Sequence, residues 1–220
     1  MDISRYIEHT NLSPTLTIRE IDQCVEEAMA FHFLGICVPP FWVRRARREI
    51  GADSILLVTV VGWPFGFNMT ETKLDEMKRA IDNGADELDV VWNTTAFKTG
   101  IPWTKIEIAK CARLAHDHQK LFKVIIETPY LSNEEIVEGC KLCSDAGADF
   151  LETSTGMAPT AEIQDHVKIM RSVLPPSVGI KASGGIETYD NVISMIQAGA
   201  ERIGTSSAMK MKLSNKQHNP

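Results

Sequence analysis

Four ionisable residues lie where a parallel sheet would bury them, and each could do proton or carbonyl chemistry. Asp89, Lys123, Glu152 and Lys181 each sit inside a short β-branched run. An ionised group in the middle of an apolar strand is costly unless it is paired. The four are therefore either an internal charge network or a site, and their convergence at one end of a sheet would favour a site. A carboxyl such as Glu152 or Asp89 offers acid–base work or an electrostatic partner for a lysine. A lysine offers an imine to a carbonyl compound, provided that it can lose its proton near neutrality.

A second group consists of small and hydroxyl residues: Thr155, Gly184, Gly185, Gly204, Ser206 and Ser207. All stand at or just after the ends of candidate strands. Loop amides with a short helix N-terminus make an anion site in many barrels. The same residues also serve as ordinary turn glycines and N-cap serines, so the pattern alone leaves both readings open. The six histidines and five cysteines show no metal-ligand spacing, and no metal or cofactor is expected. Cys140 and Cys143 have CxxC spacing but stand in a helical stretch without a second pair. His9, on the first strand, is a further candidate for the mouth of the sheet. Trp42, Trp63, Trp92 and Trp103 fall near strand ends, as packing or as an aromatic wall for substrate.

The elements that must hold these residues alternate regularly. Strands are expected over 7–12, 35–38, 55–62, 87–93, 121–127, 150–155, 178–182 and 202–204. Helices are expected over 17–32, 40–49, 71–83, 103–118, 132–146, 160–173, 188–198 and 206–213. Eight β-then-α units with short connections predict a parallel sheet, and eight is the number that closes into a barrel. The fold class is thus α/β, a single (β/α)8 TIM barrel spanning residues 1–220, with a polar tail from about 210. Three junctions repeat one phrase: Gly84-Ala85-Asp86, Gly147-Ala148-Asp149 and Gly199-Ala200-Glu201. Each glycine stands where a helix must stop. A doubly wound open sheet is disfavoured, because no G-x-G-x-x-G follows the first strand.

Composition fits this architecture. The chain has 220 residues, 44% hydrophobic and 24% charged, with a net charge of −6. The only dense basic cluster, Arg44 to Arg48, reads as a solvated helix face, so no nucleic-acid partner is expected. No apolar run is long enough for a membrane span. The odd cysteine count fits reduced thiols and a cytoplasmic location.

The motifs resemble the deoxyribose-phosphate aldolase family over nearly the whole chain. They are Ile7-Glu8-His9-Thr10-Asn11-Leu12, Val60-Val61-Gly62-Trp63-Pro64-Phe65-Gly66, Gly84 to Val91, Lys123 to Thr128, Gly147 to Gly156, Lys181 to Ile186 and Ala198 to Ser207. The resemblance implies a cofactor-free class I aldolase barrel that handles a small carbonyl substrate. It implies that Lys181 tunes an imine lysine, that Asp89 helps move protons, and that Gly184, Gly185, Gly204, Ser206 and Ser207 bind phosphate. It leaves a homodimer open.

Four departures qualify it. Glu152 occupies the imine-lysine position, and a carboxylate cannot form an imine. The segment after the second strand, where the family usually has an Asn, reads Cys37-Val38-Pro39-Pro40, Gly156-Met157-Ala158-Pro159-Thr160 replaces a Gly-rich loop, and Glu187 replaces Arg. Glu187 and the missing glycines weigh against a phosphate. The first reading is therefore a divergent lyase, isomerase, cyclisation or dehydration enzyme, with Glu152 as acid/base and Lys181, Lys123 and Asp89 as electrostatic partners. The alternatives are a retained aldolase working through Lys181 or Lys123, and a non-catalytic homologue that binds a metabolite or protein.

Overall fold

The computed structural model describes residues 1–158 and 164–216. Eight strands close into one barrel in sequence order: β1 (Ile7–Thr10), β2 (Gly35–Val38), β3 (Leu56–Val61), β4 (Glu87–Val91), β5 (Leu121–Ile125), β6 (Phe150–Glu152), β7 (Gly179–Ser183) and β8 (Arg202–Thr205). Every neighbouring pair is parallel, and β8 returns to pair with β1. The helices are α1 (Ile18–Ala30), α2 (Val43–Ile50), α3 (Thr70–Asp82), α4 (Thr94–Lys98), α5 (Trp103–Asp117), α6 (Asn133–Asp145), α7 (Gln164–Val173), α8 (Tyr189–Ala198) and α9 (Ala208–Lys216).

Local chemistry explains the boundaries. Thr17 with Glu20, Ser132 with Glu135 and Thr188 with Asn191 form reciprocal caps that start α1, α6 and α8. At the three repeated junctions, Gly84, Gly147 and Gly199 have φ of +100°, +95° and +114°, values that side chains beyond glycine rarely adopt. The outward faces of the strands supply Leu57, Leu88, Phe122, Leu151, Ile180 and Ile203 to the core beneath the helices.

Several expected boundaries move. β6 stops at Glu152 rather than at 155, so Thr153 to Thr155 rise above the sheet. The helix expected over 40–49 opens as a 3-10 turn, Pro40–Trp42, before α2. The short α4 was not expected; the Asn93 side chain accepts from the Ala96 N–H and caps it. The start expected for α7 at 160 lies outside the described residues. At the C-terminus, α9 runs to Lys216, into the segment expected as a polar tail. No helix among the described residues is long and apolar enough to cross a membrane.

The basic stretch of α2 is held by acid partners. Arg45 pairs with Asp22 at 2.7 Å, Arg47 with Asp86, and Arg48 with Glu49 at 2.8 Å. Alternation on β1 sends His9 outward, where its Nε2 lies 2.8 Å from Glu27 of α1. His9 therefore does not reach the barrel mouth, and its neighbour Glu8 points inward instead.

Candidate active site

The barrel interior carries a continuous ionic cluster built by strand alternation. Asp89 is its hub: Oδ1 accepts from Lys123 Nζ at 2.8 Å and Oδ2 accepts from Lys181 Nζ at 2.5 Å. Lys123 also lies 2.6 Å from Glu87 and 3.3 Å from Glu8. Lys181 lies 2.5 Å from Glu8 Oε2, in an ion pair whose angles fall outside a hydrogen bond, and 3.4 Å from Glu152 Oε1. Arg202 closes the cluster on Glu8 at 3.2 Å and Glu87 at 3.0 Å. The register lets this happen. Asp89 is the direct partner of Lys123, Glu152 of Lys181, and Lys181 of Arg202 across adjacent strands.

Four carboxyls (Glu8, Glu87, Asp89, Glu152) therefore face three cations (Lys123, Lys181, Arg202). A fully ionised cluster carries one negative charge too many for a buried site. A buried excess charge is relieved by protonating the group that is least well paired. That group is Glu152. Among the described residues its only cation lies at 3.4 Å, and its Oε2 is buried without a hydrogen-bond partner. Burial pushes its carboxyl up to about 8, outweighing the downward pull of Lys181, while Asp89 and Glu8 push the same way as burial. Glu8 goes the other way. Burial opposes its ionisation too, but Lys123, Lys181 and Arg202 together hold it down at about 2. For both lysines burial works against the charge and the carboxylates win: Asp89, Glu152 and Glu8 hold Lys181 well above the usual lysine range, and Asp89, Glu8 and Glu87 do the same for Lys123.

The hydrogen-bond geometry of Ser183 accommodates this protonation state and its ionised alternative. Ser183 Oγ lies 2.6 Å from Glu152 Oε1 and 2.7 Å from the Ser154 carbonyl oxygen. A hydroxyl has one proton to donate. With Glu152 in its acid form, the carboxyl donates to Ser183 Oγ and Ser183 donates to the Ser154 carbonyl, so both contacts are satisfied. With Glu152 ionised, Ser183 turns its proton to Oε1 and the Ser154 carbonyl loses it. Ser183 thus follows the protonation of Glu152.

Above this cluster opens a cavity of about 530 Å³. Asp89, Glu152 and Lys181 line its floor. Gly184, Gly185, Gly204, Ser206, Ser207 and Thr155 line the β6–β8 side, and all six expected binding residues are therefore brought together. Gly204 is required by a close approach: a Cβ there would stand 2.9 Å from Lys181 Cε. The opposite side carries an apolar patch of Leu12, Cys37, Val60 and Trp63, beside the polar Thr10, Asn11 and Ser13 of the β1 exit. Lys123 is the exception among the expected residues. It is fully buried and does not line the cavity, because its partners Glu8 and Glu87 sit two residues nearer the strand starts than Thr10 and Asp89, which do. Lys123 supports Asp89 from below.

Sequence reading missed Glu8, Arg202, Ser183 and Glu127. Inward-facing charges on β1 and β8 signalled the first two, and the hydroxyl two residues after Lys181 on the same strand face signalled Ser183. Glu127 gave less warning. It holds a left-handed backbone, φ +50°, and is buried. Its carboxylate accepts from the hydroxyls of Ser154 and Thr155 and from the Thr155 N–H, fastening the β6 exit to the β5 exit. Of the tryptophans, Trp63 lines the cavity, Trp92 is buried against Phe97, and Trp103 is exposed.

Comparison with known proteins gives a consistent picture. A family model described as DeoC/LacD family aldolase matches residues 5–210. A deoxyribose-phosphate aldolase of Thermococcus gammatolerans is 42% identical over 214 residues, covering 96% of this chain and 95% of that protein. Its counterpart in Thermococcus kodakarensis is 44% identical over the same shares. Among solved structures, one described as QR15, an aldolase, superposes with a TM-score of 0.93 at 38% identity, covering 99% of this chain and 98% of that one. The tetrameric deoxyribose phosphate aldolase of Aeropyrum pernix superposes with a TM-score of 0.90 at 30% identity, over 98% and 92%.

Proposed function

Since the chain belongs to the DeoC/LacD aldolase family, we propose that it is a lyase-type enzyme for a small carbonyl compound, in which Glu152 exchanges a proton with the substrate. The observation that carries this reading is Glu152 itself: buried, on the cavity floor, with Oε2 unpartnered. With its proton moved from Oε1, where Ser183 receives it, to the unpartnered Oε2, the neutral carboxyl can hydrogen-bond or protonate the oxygen on which charge develops as a bond next to a carbonyl breaks. The Lys181 ammonium adds positive potential beside it. Asp89 holds that ammonium in place, and Lys123 holds Asp89. Once the proton has left, the Ser183 hydroxyl stabilises the carboxylate, which then acts as base and recovers a proton from product or water. Lyase, isomerase, cyclisation and dehydration steps all share this proton exchange. No cofactor is called on.

The polar β6–β8 rim suits the oxygen-rich or anionic part of such a substrate. Glu187, which also lines the cavity, adds a carboxyl to that rim and argues for a weaker demand for phosphate.

The names of the relatives favour a second reading, aldol cleavage through an imine on Lys181 or Lys123. Against it stands the pairing of both amines. An imine needs a neutral amine, and each is held by three carboxyls, with several contacts of 2.5–2.8 Å.

The test is borohydride trapping. The protein is incubated with acetaldehyde, deoxyribose 5-phosphate and a panel of aldehydes and ketones, reduced, and read by intact mass and peptide mapping. Turnover of the same panel is followed for the wild type and for Glu152→Gln. The expected result is no adduct on the wild type, an adduct on the Glu152→Lys control, and loss of turnover in Glu152→Gln with the fold intact. A reduced adduct on Lys181 or Lys123, or full turnover by Glu152→Gln, overturns the reading. Bound but unconverted ligands throughout would make the chain a binding protein instead.

A further inference from the structure

A second cavity, of about 270 Å³, adjoins the active one. Leu12, Ser13, Pro14, Val60 and Trp63 line both. The far walls come from Leu16, Pro39, Pro40, Trp42 and Glu76. Apart from Ser13 and Glu76, every residue of this lining is apolar. Pro39 and Pro40 have no backbone N–H to offer. Glu76 directs Oε2 at the Gly62 N–H, 2.8 Å away.

At the shared edge stands an unmet hydrogen bond. Trp63 Nε1 is shielded from solvent and has no acceptor among the described residues. Buried donors are ordinarily paired, so this one is an unsatisfied point in the wall between the two cavities, which a ligand reaches only when the indole shifts. The active cavity is itself two-sided: hydroxyls and loop glycines on the β6–β8 side, and Leu12, Cys37, Val60 and Trp63 facing them. A carbonyl held at Glu152 therefore has one substituent facing polar groups and the other facing the apolar wall.

We propose that this side cavity is a subsite for an apolar substituent of the substrate, aromatic or branched alkyl. The substrate class becomes a ketone or aldehyde with an oxygen-rich side and a hydrophobic side. The inference rests on the main cavity being the carbonyl site. The indole of Trp63, which lines both cavities, packs against the substituent where it enters. An apolar group moved from water into such a lining gains affinity in proportion to the area it buries.

The experiment compares two inert ketones, 2-butanone and 4-phenyl-2-butanone, by ligand-observed NMR titration on the full chain. The phenyl ketone is expected to bind at least about 10-fold more tightly, as burial of an aromatic ring predicts. Its ring protons should show intermolecular NOEs to the indoles of Trp63 and Trp42. In Leu16→Trp, which fills the side cavity, the advantage should fall to about 2-fold or less, as expected when the apolar area is no longer buried. Equal affinity for the two ketones on the wild type overturns the inference without any variant, and so do ring NOEs confined to other residues. An advantage that survives in Leu16→Trp also overturns it. Glu152→Gln separates this inference from the catalytic reading, because the affinity ratio should persist there while turnover is lost. Failure of the acid–base account appears in turnover, and failure of the subsite appears in the ratio.

Discussion

Glu152 is set apart by what it lacks. Its neighbours Asp89 and Glu8 each meet two lysines, whereas Glu152 meets one, at 3.4 Å, and leaves an oxygen bare. Burial then decides its protonation. A group poised near 8 is mostly acid at neutrality and loses that form as pH rises. If Glu152 acts as acid, turnover should hold at neutral pH and fall as pH passes through about 8. Ser183→Ala makes a sharper prediction. The Ser183 hydroxyl favours the carboxylate form, so its removal should move the alkaline limb upward and slow turnover, by roughly 10-fold if one hydrogen bond to a charged group is lost. A pH–rate profile of that variant checks the sign, and a downward shift would contradict the assignment. At this scale the sequence was informative about residue type but not about protonation. Glu152 could be seen as a carboxyl in an apolar strand, but its shortage of cations depends on Glu8 and Arg202, which come from the two ends of the chain.

Individual elements contribute register and anchoring. Strand alternation made the inward sets on β4, β5, β6 and β7 legible, because period two needs only local sequence. What stayed hidden depends on contacts between elements. Lys123 reads locally as a site residue, yet its place beneath Asp89 follows from the stagger between β4, β5 and β1. Glu127 reads as the last residue of a strand, whereas it turns left-handed to hold the β6 exit. Two predictions belong here. Lys123→Met leaves Glu8, Glu87 and Asp89 short of a buried cation, and should cost about 3–5 kcal/mol of stability in chemical denaturation, as broken buried pairs do. A loss below about 1 kcal/mol would show that the cluster tolerates the gap by taking up protons. Glu127→Ala frees Ser154 and Thr155 and should cut kcat about 100-fold through misplacement of the β6 side of the cavity. Its effect on the melting temperature should be small beside that of Lys123→Met. An unchanged kcat would make the Glu127 clasp purely structural.

For the molecule as a whole, the barrel trades stability for a charged interior. Glu152 has a folded value near 8 against 4.5 for the ordinary carboxyl. A carboxyl raised in the folded state binds protons more tightly there than when unfolded. Its contribution to stability is complete below about pH 4.5 and is lost as pH climbs through about 8. Glu8 has the opposite sign. Held at about 2, it stabilises the fold above about pH 4.5, and that contribution drains away as pH falls toward 2. Unfolding free energy measured between pH 5 and 9 should therefore decline for the wild type more steeply than for Glu152→Gln, in which the titrating proton is gone. Parallel curves would mean that Glu152 titrates normally. The closed eight-stranded architecture was fully legible, since the β–α alternation and the three Gly-Ala-Asp/Glu junctions repeat a unit that only a parallel array accommodates. The side cavity past Trp63 was not legible, because it is made where the β1, β2 and β3 exits and α3 meet, and no stretch of sequence encodes that meeting.

Difference infrared spectroscopy of the wild type against Glu152→Gln, across a pH series, reads the protonation of Glu152 on the cavity floor. A neutral Glu152 should give a protonated-carboxyl band that persists at pH 6 and gives way to a carboxylate band with a midpoint near 8. A midpoint near 4.5, the value of an ordinary glutamate, would contradict it.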